Sequence, residues 1–178
     1  ARKMEVYAAM VANMDYNIGR VLDLLRSQNK FENTVVLFMS DNGAADSFPE
    51  RMAEPYDNSF NNLGKRGAFM GYGRGWAEAS MAPLRGVKGS LAEGGVRAAA
   101  ILTNRNAGIK GGVSHSYLTV QDVMPTLLDL ARVEHPGAQF NYRPSLPMRG
   151  KSMAPLLAQS SSVIHPADEP IGWEFEGQ

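Results

Sequence analysis

The sequence predicts an α/β fold built on a parallel sheet, and two observations carry that expectation. A helical period over Met4–Leu25 runs through a short polar loop into an unbroken apolar strand at 35–39. A second strand is expected at Val96–Leu102 and a second helix at Val120–Arg132. Helix, short loop and a strand apolar on both faces is the pattern of a sheet covered by helices.

Along the first helix the apolar positions are Met4, Tyr7, Met10, Val11, Met14, Ile18, Val21, Leu22 and Leu25. Spacings of three and four dominate, which is the period of an amphipathic helix. The methionines on this stripe are expected as flexible core filler rather than as ligands. "RSQNKFEN" ends the helix with polar turn residues, and Val35, Val36, Leu37, Phe38 and Met39 form the strand.

Residues 43–80 are rich in Gly, Asn and Pro with aromatics interspersed, which predicts a long ordered excursion of the kind that often carries function. Within it "GYGRG" has a superficial likeness to a dinucleotide loop. It follows no expected strand, is expected to open no helix, and lacks the third glycine at the required spacing. The strand at Val96–Leu102 is entered through the turn "AEGGVR". In the second helix, Pro125 belongs in the first turn or starts a fresh one, because proline lacks the N–H that an interior position needs. Beyond it "EHPGAQFNYRPSLPMRGKSMAPLL" is turn-rich and ends in a short apolar patch, and "PIGWEFEGQ" reads as the start of another strand. There is no internal repeat.

The 178 residues suffice for one sizeable core or for part of a larger one. A composition of 44% hydrophobic and 20% charged residues with zero formal net charge is ordinary. It gives no electrostatic reason to expect a nucleic acid or an anionic membrane as partner. The basic pairs Arg2-Lys3 and Lys65-Arg66 read as solvated faces. No apolar run approaches the roughly 20 residues of a membrane span. The absence of cysteine excludes disulfides, thiolate metal sites and a cysteine-derived nucleophile within these residues, and suits the cytoplasm and the periplasm equally. The N-terminus opens directly into a helical pattern, so the chain is expected to be an excerpt from a longer protein.

The chemistry concentrates in "TVVLFMSDNGAAD". In an open α/β sheet, ligands gather at the carboxyl ends of the strands. Asp41 and Asn42 stand at such an end, both offering hard oxygen donors, and Gly43 permits the sharp turn that lets adjacent side chains converge. Calcium takes about six to eight oxygens, so this pair is part of a site at most. An EF-hand is ruled out, because the twelfth position from Asp41 is Met52 and not Glu. On local sequence alone, Asp-Asn-Gly is a common turn, and the plain turn is the favoured reading over a metal site. Lys88, between Gly86 and Gly89, can aim an ammonium at an oxyanion or stand as an exposed loop lysine. Arg85 and Arg97 can serve similarly or hold the loop by hydrogen bonds.

In order and spacing, "NMDYNIGRVLDLL", "NTVVLFMSDNG", "LRGVKGSLAEGGVR", "TVQDVMPTLLDLA" and "RGKSMAPLL" together resemble the sulfatase family. The insert "YDNSFNNLGKRGAFMGYGRGWAEASMAP" looks most like the bacterial arylsulfatases of the Pseudomonas type. The resemblance covers nearly the whole chain and implies an alkaline-phosphatase-like α/β fold, of which residues 1–178 would be a C-terminal portion of the catalytic domain, truncated at both ends. It further implies hydrolysis of sulfate esters at a site where calcium holds the sulfate and the nucleophile. The family's calcium-ligating Asp-Asn pair maps onto Asp41 and Asn42. The family lysine that contacts the sulfate and stabilises the leaving oxygen maps onto Lys88. A phosphomonoester or phosphodiester hydrolase of the same superfamily, and a non-catalytic remnant, are the alternatives.

The family nucleophile is a formylglycine made from Cys or Ser in a C/S-x-P-x-R motif well upstream of the Asp-Asn pair. Ser145-Leu146-Pro147-Met148-Arg149 matches that pattern formally but follows the pair, in a proline-rich loop, and is read as a coincidence. The chain alone is therefore expected to be inactive. No family histidine maps onto His115, His135 or His165. His115 is expected to fix the loop before the second helix, and the other two are expected as loop residues. After "GGVR" this chain has Ala98-Ala99 where many members have Val-Pro.

Overall fold

In the computed structural model of the chain, residues 1–46, 56–103, 109, 111–175 and 177 are described. Part of the expected excursion, 47–55, lies outside them. The described residues gather into two compact units. The first holds Ala1–Phe31, Leu37–Leu102 and the chain's last residues from Trp173, and the second holds Glu32–Val36 and Thr103–Gly172.

In the first unit, helix α1 (Arg2–Ser27) extends the expected helix by two residues at each end. Its apolar stripe is present, but the methionines are not core filler: Met10 is 66% and Met14 46% exposed, and no residue of α1 is fully buried. The cause is a lack of neighbours among the described residues. Near its start, Tyr7 stacks on Tyr72 with ring centroids 5.0 Å apart, and near its end the Arg26 guanidinium lies over the Phe31 ring at 4.6 Å. Strand β1 (Val36–Met39) begins one residue later than expected, and Phe38 and Met39 are exposed rather than enclosed.

The excursion is ordered where it is described. Tyr56 stacks on Phe69 at its neck, the Asp57 N–H donates to the Gly67 carbonyl, and Asn62 Nδ2 donates to the Asp57 carbonyl. "GYGRG" does open a helix, contrary to expectation. Gly73 caps α2 (Arg74–Met81) in a positive-φ conformation, φ 89°, that favours glycine. Ala77 of α2, with Leu63 and Val87, is buried. "AEGGVR" is not a plain turn but one turn of helix, α3 (Glu93–Val96), so β2 starts late, at Ala100, and runs to Thr103.

β1 and β2 form a two-stranded sheet. Beyond the pair, Ser40 N–H donates to the Ala99 carbonyl and Gly43 N–H to the Gly95 carbonyl, so these flanking segments run in opposite directions. The parallel sheet expected from the sequence is not seen among the described residues. Among the described residues of "PIGWEFEGQ" no strand forms.

In the second unit a short 3-10 turn, Val120–Asp122, leads into α4 (Val123–Ala131), with Pro125 in its first turn. A capping box starts it: Thr119 Oγ1 accepts from the Gln121 N–H, and the Asp122 carboxylate accepts from the Thr119 N–H at 2.7 Å. Arg132, φ 56°, ends the helix in the left-handed conformation. The turn-rich segment forms a hairpin of β3 (Gln139–Phe140) and β4 (Arg143–Pro144), and the apolar patch is α5 (Ala154–Leu157). Thr126 joins the two helices. Its buried hydroxyl donates to the Asp122 carbonyl at 2.5 Å and accepts the Met153 N–H at 2.8 Å.

Thr126→Val keeps the shape but strands the Met153 N–H in a buried setting, which costs about 1–3 kcal/mol. We expect a correspondingly lower urea midpoint for the second unit, with Thr126→Ser near wild type. An unchanged midpoint in the valine variant would show that this bond holds nothing.

Candidate active site

The segments carrying Asp41, Asn42 and Lys88 are joined by backbone. Leaving β1, the chain turns at Ser40, whose hydroxyl donates to the Asn42 carbonyl at 2.7 Å. Gly43 then donates to the Gly95 carbonyl at 2.9 Å. One residue on, the Ala44 carbonyl accepts the Lys88 N–H at 3.0 Å, and the Ala44 N–H meets Met81 Sδ of α2 at 3.2 Å. The structure therefore brings the Asp-Asn turn and the lysine loop together through main-chain bonds on either side.

This contact requires glycine. A Cβ on Gly43 would stand 1.8 Å from the Gly94 carbonyl oxygen. A Cβ on Gly94 would lie 2.2 Å from the Gly86 carbonyl oxygen, and one on Gly95 only 1.9 Å from that of Ser90. The lysine loop is shaped in turn by a type II turn over Val87–Ser90, closed by the Ser90 N–H on the Val87 carbonyl at 3.0 Å. Gly89, φ 88°, takes the left-handed position of that turn, and Lys88 is left at its corner, exposed.

Asp41 is exposed and Asn42 half-buried. Among the described residues neither side chain, nor the Lys88 ammonium, has a hydrogen-bond or ion-pair partner. Behind the turn, Arg74 of α2 bonds Glu78 at 2.9 Å and reaches Asp46 at 3.5 Å. Of the other basic candidates, Arg97 makes a long surface pair with Glu93 at 3.7 Å, and Arg85 holds the loop through its carbonyl, which accepts the Gly94 N–H at 2.7 Å. No group of three or more His, Asp or Glu side chains is placed to hold a metal among the described residues. One carboxylate and one carboxamide nonetheless fit calcium in kind, though not in number.

The other polar cluster belongs to the second unit, and the sequence reading missed it. His165 is not a plain loop residue: its ring is 5% exposed and lies between Asp122 and Glu169. The only sequence signal was Thr119-x-x-Asp122, a capping-box pattern that puts an acid at the start of α4 but names no partner. His115 is exposed and has no bond among the described residues, so it does not fix its loop; the Thr119–Asp122 box does. His135 Nδ1 accepts the Gly137 N–H within a loop. Ser145 of the formal nucleophile pattern closes the base of the β3–β4 hairpin, its N–H donating to the Ala138 carbonyl at 2.8 Å.

Gly43→Ala must push the Asp-Asn turn away from α3, at a cost of about 1–3 kcal/mol from overpacking. Gly75→Ala, in α2 with nothing near its Cβ, is expected to be neutral or stabilising by up to about 1 kcal/mol. Urea unfolding of both variants, with amide shifts of Lys88 as the local readout, checks the contrast. Equal effects of the two substitutions would remove the glycine contact as the organiser of the site.

Residues 1–133 match the model of the family described as Sulfatase. An uncharacterised sulfatase of Schizosaccharomyces pombe is 42% identical over 100% of this chain and 33% of its own length. An arylsulfatase of Klebsiella aerogenes is 35% identical over 88% of the chain and 35% of its own, and a steryl-sulfatase of Mus musculus 31% identical over 85% and 20%. The chain thus spans about a third of the length of the first two. The family implies an alkaline-phosphatase-like α/β fold. On the match over residues 1–133, the chain belongs to the sulfatase family.

Proposed function

We propose that the protein is a sulfuric ester hydrolase of the arylsulfatase type, with Asp41, Asn42 and Lys88 in its active site. The observation that carries this reading is the glycine-to-backbone contact that joins the Asp-Asn turn to the lysine loop. Two segments more than forty residues apart are held so that three polar side chains extend from one rigid backbone unit, and none has a partner among the described residues. Family membership and the arylsulfatase of Klebsiella aerogenes among the relatives support the substrate class.

Asp41 and Asn42 would hold a calcium ion through their side-chain oxygens, with the remaining ligands supplied from outside this pair. Bound there, calcium would supply Lewis-acid stabilisation of charge on the sulfuryl oxygens. Lys88 would bind a sulfuryl oxygen and stabilise the departing aryl oxygen by its fixed positive charge, an interaction stronger in the transition state than in the ground state. The type II turn fixes the lysine backbone, so the ammonium needs only side-chain ordering to reach the substrate. A formylglycine nucleophile is assigned outside residues 1–178, and the 178-residue chain alone would have no turnover. The partner is then a sulfate ester, with neither nucleic acid nor membrane involved.

In the full-length protein, Lys88→Ala is expected to lower kcat/KM for an aryl sulfate by about 10²–10³, the usual loss of one charge-stabilising donor. Ser145→Ala is expected to leave the rate unchanged. Added calcium should raise Tm in the wild type and not in Asp41→Ala, since only a bound ion stabilises the native state. Full activity in Lys88→Ala would sink the assignment, and turnover of aryl phosphate without aryl sulfate would replace the substrate class.

A further inference from the structure

The strongest feature outside the proposed active site is the cluster around His165. His165 Nε2 lies 2.9 Å from Asp122 Oδ2 and 3.0 Å from Oδ1, and Nδ1 lies 3.1 Å from Glu169 Oε2. The same Glu169 oxygen accepts Lys151 Nζ at 2.5 Å. Asp122 is fully buried and also accepts the Lys151 N–H at 2.8 Å and the Thr119 N–H at 2.7 Å. One histidine thus links three segments: the start of α4, the stretch entering α5, and its own loop.

Both ring nitrogens face carboxylate oxygens. A neutral imidazole has one N–H, so one of these contacts would set lone pair against lone pair; only the imidazolium donates to both. The same geometry excludes a catalytic base, because neither nitrogen is left to take a proton from a nucleophile. Ser116, whose buried hydroxyl has no partner among the described residues, therefore gains no base from this ring. We propose that His165 is a proton-operated clasp, tying the 165–169 segment to the start of α4 while its ring is charged and releasing it when the ring is neutral.

The groups facing the ring are Asp122 from the start of α4, Glu169 from its own segment, Lys151 through Glu169, and Tyr117 edge-on at 6.1 Å. Asp168 on the same segment is exposed. The Asp122 contact, against an opposing effect of burial and with help from Glu169, holds the His165 pKa above its ordinary 6.5. Burial would push Asp122 up, but the N–H groups of Lys151 and Thr119 and the His165 ring more than offset it, so it is lowered. Glu169 is lowered first by its bond from Lys151. Tyr117 is raised, by burial and by the Asp122 charge, and so stays neutral here.

The sign follows from linkage. A raised histidine stabilises the folded form fully below the unfolded value of 6.5, and that stability is lost as pH rises through the folded value. The two lowered carboxylates contribute above their ordinary values, and theirs is lost in acid. The clasp is closed below 6.5 and opens as pH rises through the folded value, which lies above it.

The test is a ring-nitrogen NMR titration of His165 in the full chain, with hydrogen-exchange protection of the Lys151 and Glu169 amides corrected for intrinsic rates. We expect both ring nitrogens protonated at pH 6.5 and a midpoint above that value. Protection should fall by up to tenfold per pH unit between 6.5 and the midpoint, then level. His165→Gln, neutral with a single amide donor group, should show low and pH-independent protection at both amides. A midpoint at or below 6.5, protection indifferent to the midpoint, or a wild-type profile in His165→Gln would each overturn the proposal. None of these outcomes depends on sulfatase activity.

Discussion

The close approach of Gly43 to the Gly94 carbonyl is the contact on which the rest of the first unit depends. Main chain packs directly on main chain there, and no side chain lies between to absorb an error. Backbone is the least adjustable part of a protein, because its only soft degrees of freedom are already fixed by the turns on either side. The Asp-Asn turn, the lysine turn and the single helical turn of α3 therefore form one rigid piece, stitched by Gly43 to Gly95, Lys88 to Ala44 and Gly94 to Arg85. This answers why a strand should deliver a carboxylate and a carboxamide side by side into a glycine. The glycine serves the contact behind the turn, and the oxygens are what the contact presents.

The second unit fixes its polar groups by another route. Asp122 is a fully buried carboxylate, and burying it unpaired would cost several kcal/mol. The carboxylate is kept ionised by backbone N–H donors and by the His165 ring, the ring's charge is favoured by Asp122 and by a second carboxylate, Glu169, and Glu169 is in turn held ionised by Lys151. Each group is tolerable only because of the next, so the network is satisfied as a whole or fails as a whole. Gly150 fits the same account: a Cβ there would meet the Gln121 carbonyl oxygen at 2.0 Å, so only glycine lets the Lys151 N–H come close enough to reach Asp122.

What was legible in the sequence follows the range of the interactions. α1 and α4 were found because helical period and proline position are local, and their ends were placed within three residues. The strands were found but mis-framed. Apolar residues on both faces of 35–39 indicate a buried strand, and β1 is half-exposed because it has one neighbouring strand among the described residues. α3 was missed because Glu-Gly-Gly-Val has poor helix propensity; tertiary contact at the two glycines overrides it. Asp41, Asn42 and Lys88 were reached through motif order and not through geometry. The His165 cluster was out of reach because its partners are 43 residues apart, and nothing local ties a loop histidine to a helix cap.

The two units thus place ionisable groups in opposite ways, and the difference indicates where chemistry can occur. In the His165 cluster of the second unit the charged groups are engaged with one another, Asp122 and Glu169 with the ring and Glu169 with Lys151, so the ring has no nitrogen left for a ligand. Between the Asp-Asn turn, the lysine loop and α3 the links are backbone bonds, and the side chains of Asp41, Asn42 and Lys88 have no hydrogen-bond or ion-pair partner among the described residues. A site that binds an anionic ester must hold its charged groups in place before the ligand arrives, without using those groups to do the holding. Glycine-mediated backbone packing meets that requirement, and a side-chain salt-bridge network does not. This is the physical ground on which we propose substrate chemistry at the Asp-Asn turn and its lysine, and a structural, proton-sensitive role for His165.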